Sequence, residues 1–227
     1  MKKNQIYDGV FAGDIIGQAD IIWNPQEIEK KSMEIIEQYL GGNSFTSAER
    51  DVVKRIIHTT GDPSIIDVIT IHPEACERGI AALRTGSSVY TDVNMLRAGV
   101  NLKRLSAYGG TIDCKIADQD TAEAAADWGI TRAAASMRLF GERLNGAIIA
   151  IGNAPTALYE ILAMCKRGIV KPALIIGTPV GFVGAMESKE LMIEISDIPY
   201  ITIRGTRGGS PIAASVVNAL LYHQGDQ

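Results

Sequence analysis

Two five-residue runs, Ala147-Ile-Ile-Ala-Ile151 and Ala173-Leu-Ile-Ile-Gly177, are apolar on both parities of an extended chain. Antiparallel strands with one wet face alternate apolar and polar residues, whereas strands covered by helices on both faces read as continuous apolar runs. The remaining chain supplies the cover. Short apolar runs at Ile65–Ile71, Ser88–Thr91, Thr111–Ile116 and Tyr200–Arg204 alternate with helical patterns. Those patterns fall near 73–84, 92–98, 119–128, 131–144, 154–167, 185–195 and 210–222. Strand–helix alternation with short connections predicts an α/β fold with a mostly parallel sheet.

Two helices are expected to precede the sheet. Asn24-Pro25-Gln26-Glu27 offers an N-cap, a proline in the first turn and an acid to meet the helix dipole. Thr46-Ser47-Ala48-Glu49 reads as a capping box, in which hydroxyl and carboxylate each satisfy a free backbone N–H. Val52, Val53, Ile56 and Ile57 then give that helix a buried face. It is expected to end near His58, because Gly61-Asp62-Pro63 cannot continue it. Residues 1–23 lack periodicity and are read as an N-terminal arm. Residues 24–227, without internal repeat or linker, are read as one domain.

Composition narrows the function classes. A chain of 227 residues with 46% hydrophobic content can bury roughly 70% of its unfolded surface and needs no staples. Charge is 22 basic against 26 acidic residues with no basic block, so nucleic acid or an anionic membrane surface is not an expected partner. No apolar stretch approaches the ~20 residues of a membrane helix. Met1-Lys2-Lys3-Asn4-Gln5 is followed by acids and does not read as a signal peptide. Cys76, Cys114 and Cys165 form no CxxC and cannot all pair internally, which points to a reducing, cytoplasmic setting.

Chemistry concentrates where strands turn into helices. Three successive turns are glycine-rich: Gly152-Asn153-Ala154-Pro155, Gly177-Thr-Pro-Val-Gly-Phe-Val-Gly184 and Gly205-Thr-Arg-Gly-Gly-Ser210-Pro211. Ligands of open α/β sheets bind outside the carboxyl ends of strands, near free helix N-terminal amides. Three such turns together predict a wide binding rim, although any one of them could serve only as a tight connection. None matches a dinucleotide or P-loop fingerprint. Arg204 and Arg207 flank Gly205, and Arg132 follows a helix start capped by Thr131. Each arginine alone could be a solvated charge. Grouped beside glycine turns in an acidic protein, they point to a polyanionic small molecule.

Histidine is scarce. His223 lies in a polar tail, and His72 before Pro73 reads as a cap or packing residue. His58 ends a helix, where the dipole favours imidazolium while Lys54 and Arg55 oppose it, so it is the candidate acid–base group. A metal site built from His58, His72 and Cys76 matches no ligand spacing.

Taken in order, several blocks closely resemble the precorrin-8X methylmutase (precorrin isomerase) family of the cobalamin pathway. They are Arg55-Ile-Ile-His58-Thr-Thr-Gly61, Thr91-Asp92-Val-Asn94-Met95, Thr131-Arg132-Ala-Ala-Ala and Ala150-Ile-Gly-Asn153-Ala-Pro-Thr-Ala-Leu158, then Gly177-Thr-Pro-Val-Gly-Phe-Val-Gly184-Ala-Met-Glu-Ser-Lys189 and Arg204-Gly205 with Gly208-Gly-Ser210. The likeness runs from about residue 24 onward. It implies an isomerase that moves a methyl group between adjacent ring C carbons of a polycarboxylate tetrapyrrole, either precorrin-8X or cobalt-precorrin-8. It also implies a homodimer with an α/β fold that needs no added redox or methyl-donor cofactor and no metal ligands. By the same resemblance His58 is the proton donor/acceptor. Ser32, Arg55, Asn94, Thr131, Arg132, Asn153, Arg204, Arg207 and Ser210 are the candidate substrate-binding residues. Two other readings stay open at this point: a noncatalytic corrinoid carrier, and a nucleotide- or S-adenosylmethionine-dependent transferase using the glycine turns.

Overall fold

The computed structural model describes residues 21–42 and 44–225, so the proposed arm lies almost wholly outside the described residues. Six strands form one sheet: β1 (Ile69–Ile71), β2 (Val89–Thr91), β3 (Ile112–Asp113), β4 (Ile148–Ile151), β5 (Leu174–Gly177) and β6 (Tyr200–Ile203). Their spatial order is β1-β6-β5-β4-β2-β3. All pairs are parallel except β1 with β6. Ten α-helices surround the sheet among the described residues. They are α1 (Pro25–Leu40), α2 (Ser47–Thr60), α3 (Ala75–Arg84), α4 (Asn94–Gly99), α5 (Leu102–Ala107), α6 (Gln119–Trp128), α7 (Arg132–Phe140), α8 (Pro155–Lys166), α9 (Ala185–Ile195) and α10 (Ser210–Tyr222).

The central strands behave as their two-parity pattern requires. Ile148, Ala150, Leu174 and Ile176 join a core with α2, α3, α4 and α10 on one face. Their neighbours Ile149, Ile151 and Ile175 join a second core with α7, α8 and α9 on the other. All seven are fully buried. Each layer thus receives alternate residues of the same strands.

The edges depart from the sequence reading. Of Ile65–Ile71 only the last three residues are a strand, because Pro63–Val68 wind into a 3-10 turn. The Asp62 carboxylate caps that turn, accepting the Ser64 N–H at 2.9 Å. Thr111–Ile116 shrinks to Ile112–Asp113, because the Asp113 side chain takes the Cys114 N–H at 2.8 Å and removes that donor from the ladder. Helix α5, capped by Asn101, was not expected. Helix α2 runs past His58 to Thr60 and ends on Gly61, left-handed at φ 64°, whose N–H meets the Ile57 carbonyl at 2.8 Å.

Candidate active site

The capping box forms as expected, with the Glu49 N–H donating to Thr46 Oγ1 at 3.3 Å and the Thr46 N–H to Glu49 Oε2 at 2.8 Å. It starts α2, and Val52, Val53, Ile56 and Ile57 then bury that helix in the core it shares with α10. One face is thereby committed, and His58 in the last turn is left pointing at solvent. It borders a cavity of about 570 Å³ that Arg55 and Glu29 share on one side and Pro211, Ala214 and Ser215 on the other.

Beside this cavity the joint between α4 and α5 lies tight against α10. A side chain at Gly99 would come within 2.8 Å of the Ala214 methyl group. The Asn101 N–H donates to Asn218 Oδ1 at 2.8 Å, and Asn218 Nδ2 donates to the Gly99 carbonyl at 2.9 Å. Asn101 Nδ2 donates to the Tyr222 hydroxyl at 2.6 Å. Asn101, Ser215, Asn218 and Tyr222 all line the cavity, and the sequence reading missed them. The signal was present: Ser215, Asn218 and Tyr222 are a polar stripe at spacings of three and four on a helix that is otherwise apolar after Ser210.

The glycine turns pack on one another. A Cβ at Gly152 would fall 2.6 Å from Ser210 Cα, and one at Gly208 would fall 2.3 Å from the Thr178 carbonyl oxygen. The Gly209 N–H donates to that same carbonyl at 2.8 Å, and the Gly181 N–H to Thr206 at 3.1 Å. The turns therefore form one continuous rim, held by backbone contacts that no side chain would permit.

At the β4–α8 turn the amides are already occupied. Asp92, fully buried, accepts the N–H groups of Gly152, Asn153 and Ala154 at 3.1, 2.8 and 2.7 Å. Burial pushes its carboxyl group above the usual range, and the three amides oppose the shift. The carboxylate sits where a phosphate would sit in a nucleotide-binding turn. This weighs against the transferase reading.

The predicted residues divide into groups. Arg55 and His58 share the α2–α10 cavity. Ser210, almost buried, opens α10 against Gly152. Arg207 reaches across to Asp62 at 3.0 Å and Ser64 at 3.3 Å, just beyond the end of the His58 helix. Arg204 pairs with Glu190 at 3.0 Å, and Arg55 with Glu29 at 2.9 Å. Thr131 and Arg132 open α7, on the opposite face of the sheet. The Thr131 hydroxyl caps α7 and meets that of Thr156 at 2.7 Å. Arg132 is exposed with no carboxylate partner among the described residues. Asn94 and Asn153 are exposed, at the start of α4 and in the β4–α8 turn. Ser32 is half-buried on α1 and donates to the Ile28 carbonyl within its own helix at 2.8 Å.

The other histidines have partners elsewhere. His72 Nδ1 accepts the Glu74 N–H at 3.2 Å, and the ring meets Tyr200 edge-on. His223 holds Asp51 at 2.8 Å and so anchors the chain after α10. Burial drives the Cys76 thiol up to about 12. No group of three or more His, Cys, Asp or Glu side chains among the described residues could hold a metal ion. Nor is any described helix long and apolar enough to cross a membrane.

Comparison with known proteins identifies this architecture. The family model described as precorrin-8X methylmutase matches residues 27–223. A cobalt-precorrin-8 methylmutase of Priestia megaterium is 43% identical over 196 residues, covering 86% of this chain and 87% of the relative. Another, of Leptospira interrogans, is 44% identical over 203 residues, covering 86% and 92%. The crystal structure of precorrin-8X methyl mutase from Thermus thermophilus superposes with a TM-score of 0.78 at 32% identity, covering 86% of this chain and 95% of that one. With the family model spanning most of its length, the chain belongs to the precorrin-8X methylmutase family and is an isomerase of cobalamin biosynthesis.

Proposed function

We propose that this chain moves a methyl group between adjacent ring C carbons of precorrin-8X or cobalt-precorrin-8, with His58 donating and recovering the proton that favours migration. The observation that carries the reading is the His58 imidazole standing over a cavity that already holds Arg55 and a hydrogen-bonded polar wall. The bond change is intramolecular. The protein therefore has to position one molecule and exchange one proton, and a single weak acid–base group suffices.

The charged rim supplies the binding. A polycarboxylate substrate would be met by Arg55, Arg132, Arg204 and Arg207, with Ser32, Asn94, Thr131, Asn153 and Ser210 as polar contacts. Three of these arginines already hold protein carboxylates in partly exposed pairs. Such pairs contribute only about 0–1 kcal/mol, so substrate carboxylates can replace them. Arg132 and Thr131 lie across the sheet from His58, so one chain alone does not gather every candidate contact on the His58 face. We read the protein as a homodimer on that ground and as cytoplasmic from its three unpaired cysteines.

The test is conversion by the purified protein of precorrin-8X and of cobalt-precorrin-8, without additives, alongside equilibrium binding. Turnover of either, abolished in His58→Ala with binding retained, is the expected outcome. Binding without any change of spectrum toward product would leave the carrier reading instead. Dependence on an added donor would leave the transferase.

A further inference from the structure

Lys189 is fully buried on α9, an uncommon place for an ammonium group. Its one hydrogen bond among the described residues runs from Nζ to the backbone carbonyl of Arg207, at 2.6 Å. The neighbouring carboxylate, Glu190, is paired with Arg204 instead. Desolvation draws the Lys189 pKa down to about 8. A buried charge has to be paired or hydrogen-bonded, and here the acceptor is a main-chain oxygen of the β6–α10 turn.

That turn is fixed at several points along its length. Gly205 and Gly209 take positive φ values of 75° and 124°, and Gly208 between them has no Cβ. Gly208 packs against the Thr178 carbonyl, where a Cβ would fall 2.3 Å away, so its position is set by backbone contact. Thr206 and Gly209 are held from the β5 side by the Gly181 N–H and the Thr178 carbonyl. The Arg207 carbonyl is held by Lys189. The Arg207 guanidinium meets Asp62, one residue beyond the cap of the His58 helix.

We infer that Lys189 is a positioning residue for substrate binding, fixing the β6–α10 turn so that Arg207 faces the His58 end of the rim. This rests on the proposed role of Arg207 as a contact for a substrate carboxylate. Lys189 touches no reacting atom. Its loss should therefore appear in KM rather than kcat.

Lys189→Met, which keeps the length and removes the donor, is expected to raise KM for precorrin-8X or cobalt-precorrin-8 on the order of tenfold with kcat within about twofold. In an Arg207→Ala background the same substitution should add less than about twofold, because residues acting through one another are not additive. A variant that melts earlier but keeps the wild-type KM would overturn the inference, as would full additivity with Arg207→Ala. Should Lys189→Met fail to fold, Lys189→Gln carries the same test, since its shorter amide falls short of the carbonyl. The two layers of the argument fail differently. An unchanged KM in Arg207→Ala removes the carboxylate contact and the inference with it. A raised KM there with an unchanged KM in the Lys189 variants removes the inference alone.

Discussion

The cavity wall and the rim are built in opposite ways. His58 stands exposed on the last turn of a helix, and its ring has no hydrogen-bond or ion-pair partner among the described residues. Along the rim, by contrast, Asp92 holds three amides, Lys189 holds one carbonyl, and glycines at 152 and 208 let the turns touch. The proposed proton-transfer residue is thus loosely held, while the groups that shape the rim are buried and over-determined. Exchange of a proton requires access to solvent or substrate, whereas positioning a broad ligand requires a surface that does not yield. Substitutions on the two sides should therefore fail in different observables.

The sharpest break is on the exposed side. His58→Ala should lower kcat by roughly 10²–10⁴-fold, the usual contribution of a positioned acid–base group. The melting temperature should stay within a degree or two of wild type, because an exposed residue without partners supports little of the fold. Single-turnover assays with thermal melts measure both. Turnover within a few-fold of wild type would remove His58 from the chemistry.

The buried side should give the converse. Asp92→Ala strands three backbone N–H groups and is expected to destabilise the fold by about 2–4 kcal/mol. Asp92→Asn keeps one acceptor oxygen and should lose less. Denaturant titration separates the two. A stability loss under about 1 kcal/mol for the alanine variant would mean the amides find other partners.

How far the sequence foretold this contrast depends on the kind of interaction. The two-parity strands and the capping box were legible because apolar period and cap chemistry are local, and His58 was legible as the histidine at a helix end. Asp92 and Lys189 were not read as supports, although both stand in quoted blocks. Their partners lie 60 to 62 residues away for Asp92 and 18 for Lys189, and no spacing rule links a side chain to a backbone group of another turn. The ends of Ile65–Ile71 and Thr111–Ile116 failed for a related reason. There a carboxylate, on Asp62 and on Asp113, competes with the ladder for backbone donors.

Lys189 should also make the stability of the fold depend on pH. Its pKa falls from 10.5 to about 8 on folding. Below about 8 both states carry the proton, and the buried charge opposes folding. Between about 8 and 10.5 the unfolded chain keeps a proton that the folded chain has released, so this group's contribution to stability rises with pH and levels off above that window. The thiols Cys76 and Cys165, raised from 9.0 to about 12 and about 11, work the other way from pH 9 upward. Comparing wild type with Lys189→Met cancels them. The wild type should gain on the variant between pH 7.5 and 10 in denaturant unfolding, and a constant difference would mean that Lys189 stays charged throughout.

The smallest effect tests whether Arg207 is parked rather than engaged. Its guanidinium meets Asp62 at 3.0 Å, in a pair with each side chain roughly half exposed. Asp62 also caps the following turn through Ser64, and both the cap and its neighbour Arg207 hold its carboxyl below the usual range. Asparagine is as good a cap as aspartate, so Asp62→Asn removes the charge while leaving the local fold in place. If a substrate carboxylate must displace Asp62, the variant should bind substrate about two- to threefold more tightly, in keeping with the small worth of an exposed pair. A raised KM would instead mean that Asp62 holds Arg207 in its working position, which would place part of the platform's rigidity on the solvent-facing side of the molecule.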